Sequence, residues 1–290
     1  MLYLILKAQL GNQLFQIFNL ISLSLEYNLD YKIYIDKDSK TLYENKKTYF
    51  DNFLSNIKDK IIKIDKKDLD NNIIKYKELN FNYDKIELED INKDICIEGY
   101  YQSNKYFEKY YKEIDNLIKI SEYQKILNEK YSYIFSKKTI AIHFRYGDYL
   151  NLQNLHPIKK IKYYVDSIIL LNKLLNKDND IIYNYNILYF CNSCDNEIVL
   201  NIINKLNEIF NNKLNFIKIN DNINEYEQML MISLCDHKII ANSTYSWFGA
   251  YLTKKKNIVI YPKRWFGEFY KNNDIKDLIL DNWIGIDENI

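Results

Sequence analysis

Apolar positions recur along this chain in two alternating rhythms. Leu2 to Lys7 is a mostly apolar run of strand length, the pattern of a parallel strand buried on both faces. Gly11 makes a turn, after which Leu14, Phe15, Phe18, Ile21 and Leu25 recur at helical spacing, and Tyr31 to Ile35 reads as the next strand. The chain is therefore predicted to open with a strand–helix–strand unit. Lys, Asp and Asn crowd residues 37–93, where the pattern supports only short strands and loops. A short strand at Ile95–Ile97 follows, then two helical stretches filling 104–135.

The second half is more regular. Strands are predicted over Thr139–Phe144, Asn186–Phe190, Leu214–Ile219, Lys238–Ala241 and Ile258–Tyr261, with helical patterns near 160–176, 195–211, 224–235 and 245–254. This alternation predicts an α/β fold with mostly parallel, doubly wound sheets. At 290 residues the chain has room for two domains, and the boundary is placed near Ser136, giving 1–136 and 137–290, with a last helix folding back on the first domain.

The unusual polar clusters fall just after strands: His143 to Asp148, Cys191 to Asp195, Asn242 to Ser246, and Pro262 to Trp265. In an open α/β sheet the ligand crevice lies at the carboxyl ends of the strands, so four clusters from distant sequence are expected to converge on one cleft.

Composition sharpens one of them. Asn, Ile, Lys and Tyr (28) are abundant while Gly (6) and Pro (2) are scarce, the bias an AT-rich genome writes. Only Arg145 and Arg264 are arginines. Where lysine serves as the general cation, a retained arginine suggests two-pronged binding of phosphate or carboxylate. Alternation points His143 and Arg145 to the same side, and Gly147 lets the chain turn; Asp148 can orient Arg145 or meet a substrate hydroxyl. The bland alternative is an Arg–Asp pair that merely tethers a loop. Asn242, Ser243, Thr244 and Ser246 join a strand to a helix, whose free N–H groups and dipole suit a phosphate, although a ligand-free cap reads the same way. Gly11, Asn12 and Gln13 open a helix and can bind acceptor hydroxyls or a pyrophosphate, or simply make a tight turn.

A formal charge of +1 gives no global field for nucleic acid, and no basic leader or long apolar run predicts a signal peptide or membrane span. Four cysteines are too few for a disulfide framework, which places the chain in a reducing compartment, the cytosol. Two metal sites are conceivable from residue types. Cys191, Cys194, Cys235 and His237 contain zinc-ligand residue types, and Asp36-Lys37-Asp38 resembles a metal-binding D-x-D, though the pattern repeats at Asp68-Leu69-Asp70 and Asp178-Asn179-Asp180. Neither G-x-G-x-x-G nor a Walker loop occurs.

Taken together, Gly11-Asn-Gln-Leu-Phe-Gln16, Gly99-Tyr-Tyr-Gln-Ser103 with Lys105-Tyr106-Phe107, the segment His143–Tyr149, Tyr163-Tyr164, and Cys235 through Trp247 resemble the α-1,2-fucosyltransferases in order and spacing, from residue 2 to about 267. The resemblance implies a GT-B-like fold, two Rossmann-like domains facing a cleft. It implies GDP-β-L-fucose as donor, a glycan acceptor on the first domain, and inverting transfer without a metal or other cofactor. By position, Arg145 resembles the family's diphosphate-binding arginine, His143 the histidine near the nucleotide, and Ser243, Thr244 and Ser246 the phosphate-proximal turn. Three positions depart from the family pattern. Tyr146 stands where a second arginine is usual, and Asn192-Ser193 where an acidic pair is usual. Gln228 replaces an aspartate, so reading of guanine's N–H donors would fall to Gln228 or the adjacent Glu227. Asp148 and Asp36 are the candidate bases for the acceptor hydroxyl.

Overall fold

A computed structural model describes residues 1–36, 48–64, 73–178 and 180–287. Two compact units result, 1–122 with 274–279, and 123–273 with 280–290.

The first unit is built on β1 (Leu2–Ile5), β2 (Tyr31–Asp36), β3 (Ile61–Ile64), β4 (Ile74–Lys77) and β5 (Ile95–Glu98) in the order β3-β2-β1-β5-β4, every pair parallel. β1 lies in the centre, which is why its alternate residues Leu2 and Leu4 are wholly buried. Helix α1 (Leu10–Tyr27) is buried on nearly every side through Leu23, and Phe15 and Phe18 pack against Phe107. The short helix α2 (Tyr111–Ile118) buries Ile114 and Ile118. The segment 274–279 is a run of turns rather than the last helix the sequence suggested. Asp277 ties it to this unit, accepting from Lys105 Nζ at 2.5 Å and from the Tyr83 amide at 3.1 Å.

The second unit holds β6 (Thr139–His143), β7 (Asn186–Phe190), β8 (Asn215–Lys218), β9 (His237–Ile239), β10 (Val259–Pro262) and β11 (Ile284–Ile286), all parallel, in the order β11-β10-β9-β6-β7-β8. An all-parallel sheet is covered on both faces, and the strand alternation shows how. Ile140, Ile142, Ile187 and Tyr189 share a core with Tyr164, Ile168 and Leu171 of α5 (Ile161–Leu175) and Val199 and Ile203 of α6 (Asn196–Ile209). Ala141, Leu188 and Phe190 join a second core with Met231 and Ile232 of α7 (Glu225–Leu234). Helix α8 (Thr244–Tyr251) packs closely on α7: a Cβ at Gly249 would stand 2.7 Å from the Ile232 side chain.

Helix α3 (Ile120–Lys130) begins in the first unit and ends in the second, which also holds α4 (Ser132–Phe135). The expected boundary at Ser136 falls inside the second unit, because residues before it already belong there. Gln124 Nε2 donates to Ser233 Oγ and the Leu252 carbonyl, and Ile134 lies in the α7-side core. Among the described residues no helix is long and apolar enough to cross a membrane.

Candidate functional site

Four adjacent strands of the second sheet, β10-β9-β6-β7, run parallel and end at the same edge, so the four polar clusters do converge there. Their geometry is shared between two segments. The first, after β6, carries His143, Arg145 and Asp148; Arg145 Nη2 donates to Asp148 Oδ1 at 2.5 Å, and the guanidinium lies 4.9 Å from the centre of the Tyr149 ring. His156 stacks on the same ring at 4.8 Å. The second segment is the turn into α8. Asn242 is buried, its Nδ2 donating to the Pro157 and Trp265 carbonyls, and Ser243 is the N-cap of α8 without a side-chain capping bond. The two segments touch: Tyr149 donates its hydroxyl to the Asn242 carbonyl at 3.2 Å, and the His143 ring lies 5.3 Å from that of Tyr245.

Neighbouring elements fix this arrangement. Tyr163 donates to the Ile240 carbonyl at 2.6 Å, tying α5 to the end of β9, while Tyr164 packs on Phe144 at 4.4 Å. Lys159, buried, donates to the Arg264 carbonyl at 2.7 Å. The second arginine thus contributes a main-chain acceptor here, a role its rarity did not suggest. Asp195, also unassigned from sequence, accepts from the Gly147 amide at 2.7 Å and from the Tyr146 amide at 3.3 Å.

Among the described residues, His143 Nδ1, His156 Nδ1 and Asn242 Oδ1 are buried polar atoms at this edge with no hydrogen-bond partner. Each such atom costs stability, so their clustering marks a place shaped by something other than folding alone.

Several candidates take local roles. The Ser246 hydroxyl donates to the Ala241 and Ser243 carbonyls, holding the turn, and Thr244 begins the helix. Glu227 closes the capping box of α7 with Asn224 and pairs with Lys130 at 3.2 Å; Gln228 Nε2 donates to the Ile223 carbonyl. The start of α7 still adjoins the site, since Tyr245 donates to the Glu225 carbonyl at 2.8 Å. Gly11, Asn12 and Gln13 belong to the first unit, at the start of α1. There Gln13 Nε2 donates to the Ala8 carbonyl, Gln16 and Lys7 exchange hydrogen bonds, and Asn12 Oδ1 accepts from Gln102. Ala8, at φ +61, makes the tight turn these amides hold.

The four-residue zinc reading fails on topology. Cys191 and Cys194 follow β7, whereas Cys235 and His237 stand at the opposite, amino-terminal edge where β9 begins. There Cys235 Sγ faces the Met231 carbonyl and His237 Nδ1 accepts from the Ile258 amide. Among the described residues no group of three or more His, Cys, Asp or Glu is arranged to hold a metal ion. Asp38, Asp68, Asp70 and Asn179 lie outside the described residues, as do the side chains of Asp36 and Asp178; Asp180 pairs with Lys138 and Tyr185.

All three histidines have their proton affinity lowered, chiefly by burial: His143 to about 3, with the Arg145 charge adding to the effect, and His156 and His237 in the same direction. The unfolded chain binds these protons below its ordinary pKa of about 6.5 while the folded chain does not, so stability rises with pH across that range. The His143 contribution is present above about pH 6.5 and lost as pH falls toward 3. It should cost about 2 kcal/mol between roughly pH 7.5 and 5. Urea unfolding at both pH values checks this, and His143→Gln should flatten the slope; an unchanged slope refutes it.

The model of glycosyl transferase family 11 matches residues 1–287. The chain belongs to glycosyl transferase family 11. Two Escherichia coli relatives are similar to this family 11 chain. An O-antigen biosynthesis glycosyltransferase, WbnK, is 25% identical over 213 residues, 68% of this chain and 62% of that protein. An alpha-1,2-colitosyltransferase is 28% identical over 194 residues, 66% of this chain and 62% of its own. The match thus spans less than two thirds of either relative. In fold the chain is similar to a glycosyl transferase family 9 structure from Veillonella parvula, with TM-score 0.53, 8% identity, and coverage of 100% of this chain and 87% of that one. It is also similar to the E. coli ADP-heptose LPS heptosyltransferase II, with TM-score 0.50, 10% identity, and coverage of 99% and 90%. These likenesses give the family 11 chain a GT-B-like architecture of two α/β units, each on a parallel sheet.

Proposed function

We propose that this family 11 chain is an inverting glycosyltransferase that moves L-fucose from GDP-β-L-fucose to a sugar hydroxyl of a glycan, forming an α-1,2 linkage. The observation that carries this reading is the position of Arg145, paired with Asp148 and seated on Tyr149, on a segment touching the turn into α8. A guanidinium and a helix N-terminus brought together offer forked and main-chain donors to a diphosphate.

The acceptor hydroxyl oxygen attacks the anomeric carbon as the bond to the phosphate oxygen breaks, and GDP departs with the bonding electron pair. Arg145 stabilises the charge growing on the leaving diphosphate, an interaction strongest in the transition state. The hydroxyl proton passes to a carboxylate, for which Asp148 and Asp36 are the candidates. No metal is required in this scheme, because the cation is supplied by the guanidinium.

A second reading, a transferase for another nucleotide sugar or linkage, is favoured by two observations. Glu227 is committed to its helix cap and Lys130, leaving guanine recognition to other groups, and one relative is named for colitose rather than fucose. A thermal-shift panel of GDP, UDP, ADP and CMP separates the readings. GDP at about 100 times its dissociation constant should add about 2.7 kcal/mol of stability. Stabilisation by UDP or ADP instead would move the proposal to the second reading, and silence from all four would sink both.

A further inference from the structure

We propose that Asp195 is the positioning residue of the site: a buried carboxylate that holds the main chain beside Arg145 and so aims the guanidinium at an anionic diphosphate. The inference rests on the reading that this edge of the second sheet holds a nucleoside diphosphate.

Asp195 closes the short turn after β7, whose last residue, Phe190, lies opposite His143 in register. It is 1% exposed, so it acts on its own protein rather than on solvent. A buried carboxylate is costly unless hydrogen-bonded, and this one takes two main-chain donors. Oδ1 accepts from the Gly147 amide at 2.7 Å and Oδ2 from the Tyr146 amide at 3.3 Å. The Tyr146 amide belongs to the peptide bond that leaves Arg145, so the clamp acts two bonds from the Arg145 Cα.

Gly147 makes the clamp possible. Its φ of +34 lies where side-chain-bearing residues are rare, and a Cβ there would stand 3.4 Å from Asn192 Nδ2 and 3.8 Å from both Asp195 oxygens. The same loop is pinned at two further points, by Tyr146 donating to the Lys159 carbonyl at 2.6 Å and by Tyr149 donating to the Asn242 carbonyl. Those pins hold side chains at 146 and 149. Asp195 alone of the three grips the main chain, and it does so next to Arg145.

Asp195→Asn preserves size but sets an NH2 group against one of the two N–H donors. GDP affinity, or that of whichever diphosphate stabilises the wild type, is measured for wild type, Asp195→Asn, Arg145→Ala and the double variant. Misaiming the guanidinium forfeits its charge-assisted hydrogen bonds to the diphosphate, so Asp195→Asn should weaken binding about 10- to 100-fold when Arg145 is present. With Arg145 already removed it should cost less than about threefold, because coupled residues are not additive. Should Asp195→Asn fail to fold, Gly147→Ala disturbs the same amide from the other side and goes through the same cycle. An equal loss in both backgrounds, or wild-type affinity in Asp195→Asn, overturns the positioning role alone. Wild-type protein that binds no nucleoside diphosphate overturns the reading of the site, and this inference with it.

Discussion

Arg145→Ala is expected to lower kcat/KM for the nucleotide sugar roughly a hundred- to a thousandfold, the equivalent of about 2.7 to 4 kcal/mol of transition-state stabilisation. The loss should be chemical rather than structural. The Arg145–Asp148 pair is partly exposed, with side-chain exposures of 21% and 29%, and such pairs contribute about 1 kcal/mol or less to folding. Arg145→Lys keeps the charge but not the planar fork, and should recover only part of the rate. Steady-state kinetics on the three proteins, beside their unfolding midpoints, test this directly. An Arg145→Ala enzyme turning over at near-normal rate would remove the guanidinium from the mechanism, and with it the reason for reading the loop as a diphosphate site.

That arginine was visible in the sequence because it is rare and because it follows a strand, and both features translate into structure. Strands with continuous apolar runs were readable, since a central parallel strand is buried on both faces; β1, β6, β7 and β9 fall within a residue or two of their predicted positions. Of the edge strands, β8 was readable, but β11 and β4 carry no such signal. β11 has three residues and pairs only with β10, and β4 alternates half-buried with exposed positions inside a charge-rich stretch. Hydropathy also could not foresee Lys238, which is wholly buried in β9 and donates its amine to the Cys235 carbonyl at 2.6 Å; burial pushes its pKa down to about 7.

The site divides in the same way. That the segments share one edge follows from parallel strands, and parallel strands follow from the alternation of elements, so convergence at the carboxyl edge was deducible. Which atoms pair does not follow, because it depends on where each loop closes. The Asp148 carboxylate, three residues from Arg145, lies within local reach and was anticipated. The Asp195 carboxylate, 49 residues from Tyr146, meets the loop only because β6 and β7 are neighbours in register. Ser246 fits a phosphate turn by sequence, yet its hydroxyl serves the carbonyls of the turn itself. Short polar side chains have main-chain acceptors close at hand, and that competition is invisible in a pattern of residue types.

The largest effect on stability is expected from Trp247→Ala, at about 3 to 5 kcal/mol. Trp247 is wholly buried in α8 and lies within a cluster of rings: Tyr251 stacked at 4.9 Å, Phe248 at 5.0 Å and Trp283 at 5.8 Å. Removing the indole leaves a void that three large, rotamer-restricted neighbours cannot collapse to fill, so the cavity adds to the lost transfer energy. The effect should reach function, because α8 begins at the turn that carries Ser243 and Thr244. A helix no longer seated by its aromatic face cannot hold its first amides in place, and diphosphate affinity should fall along with stability. Urea unfolding near pH 7.5, above the range where histidine protonation lowers stability, isolates the packing effect, and Phe269→Ala serves as the control. Phe269 is 72% exposed, so its truncation should change stability by no more than about 0.5 kcal/mol. If Trp247→Ala costs no more than that control, the aromatic cluster is not what seats α8, and other contacts must hold the turn at Ser243 and Thr244.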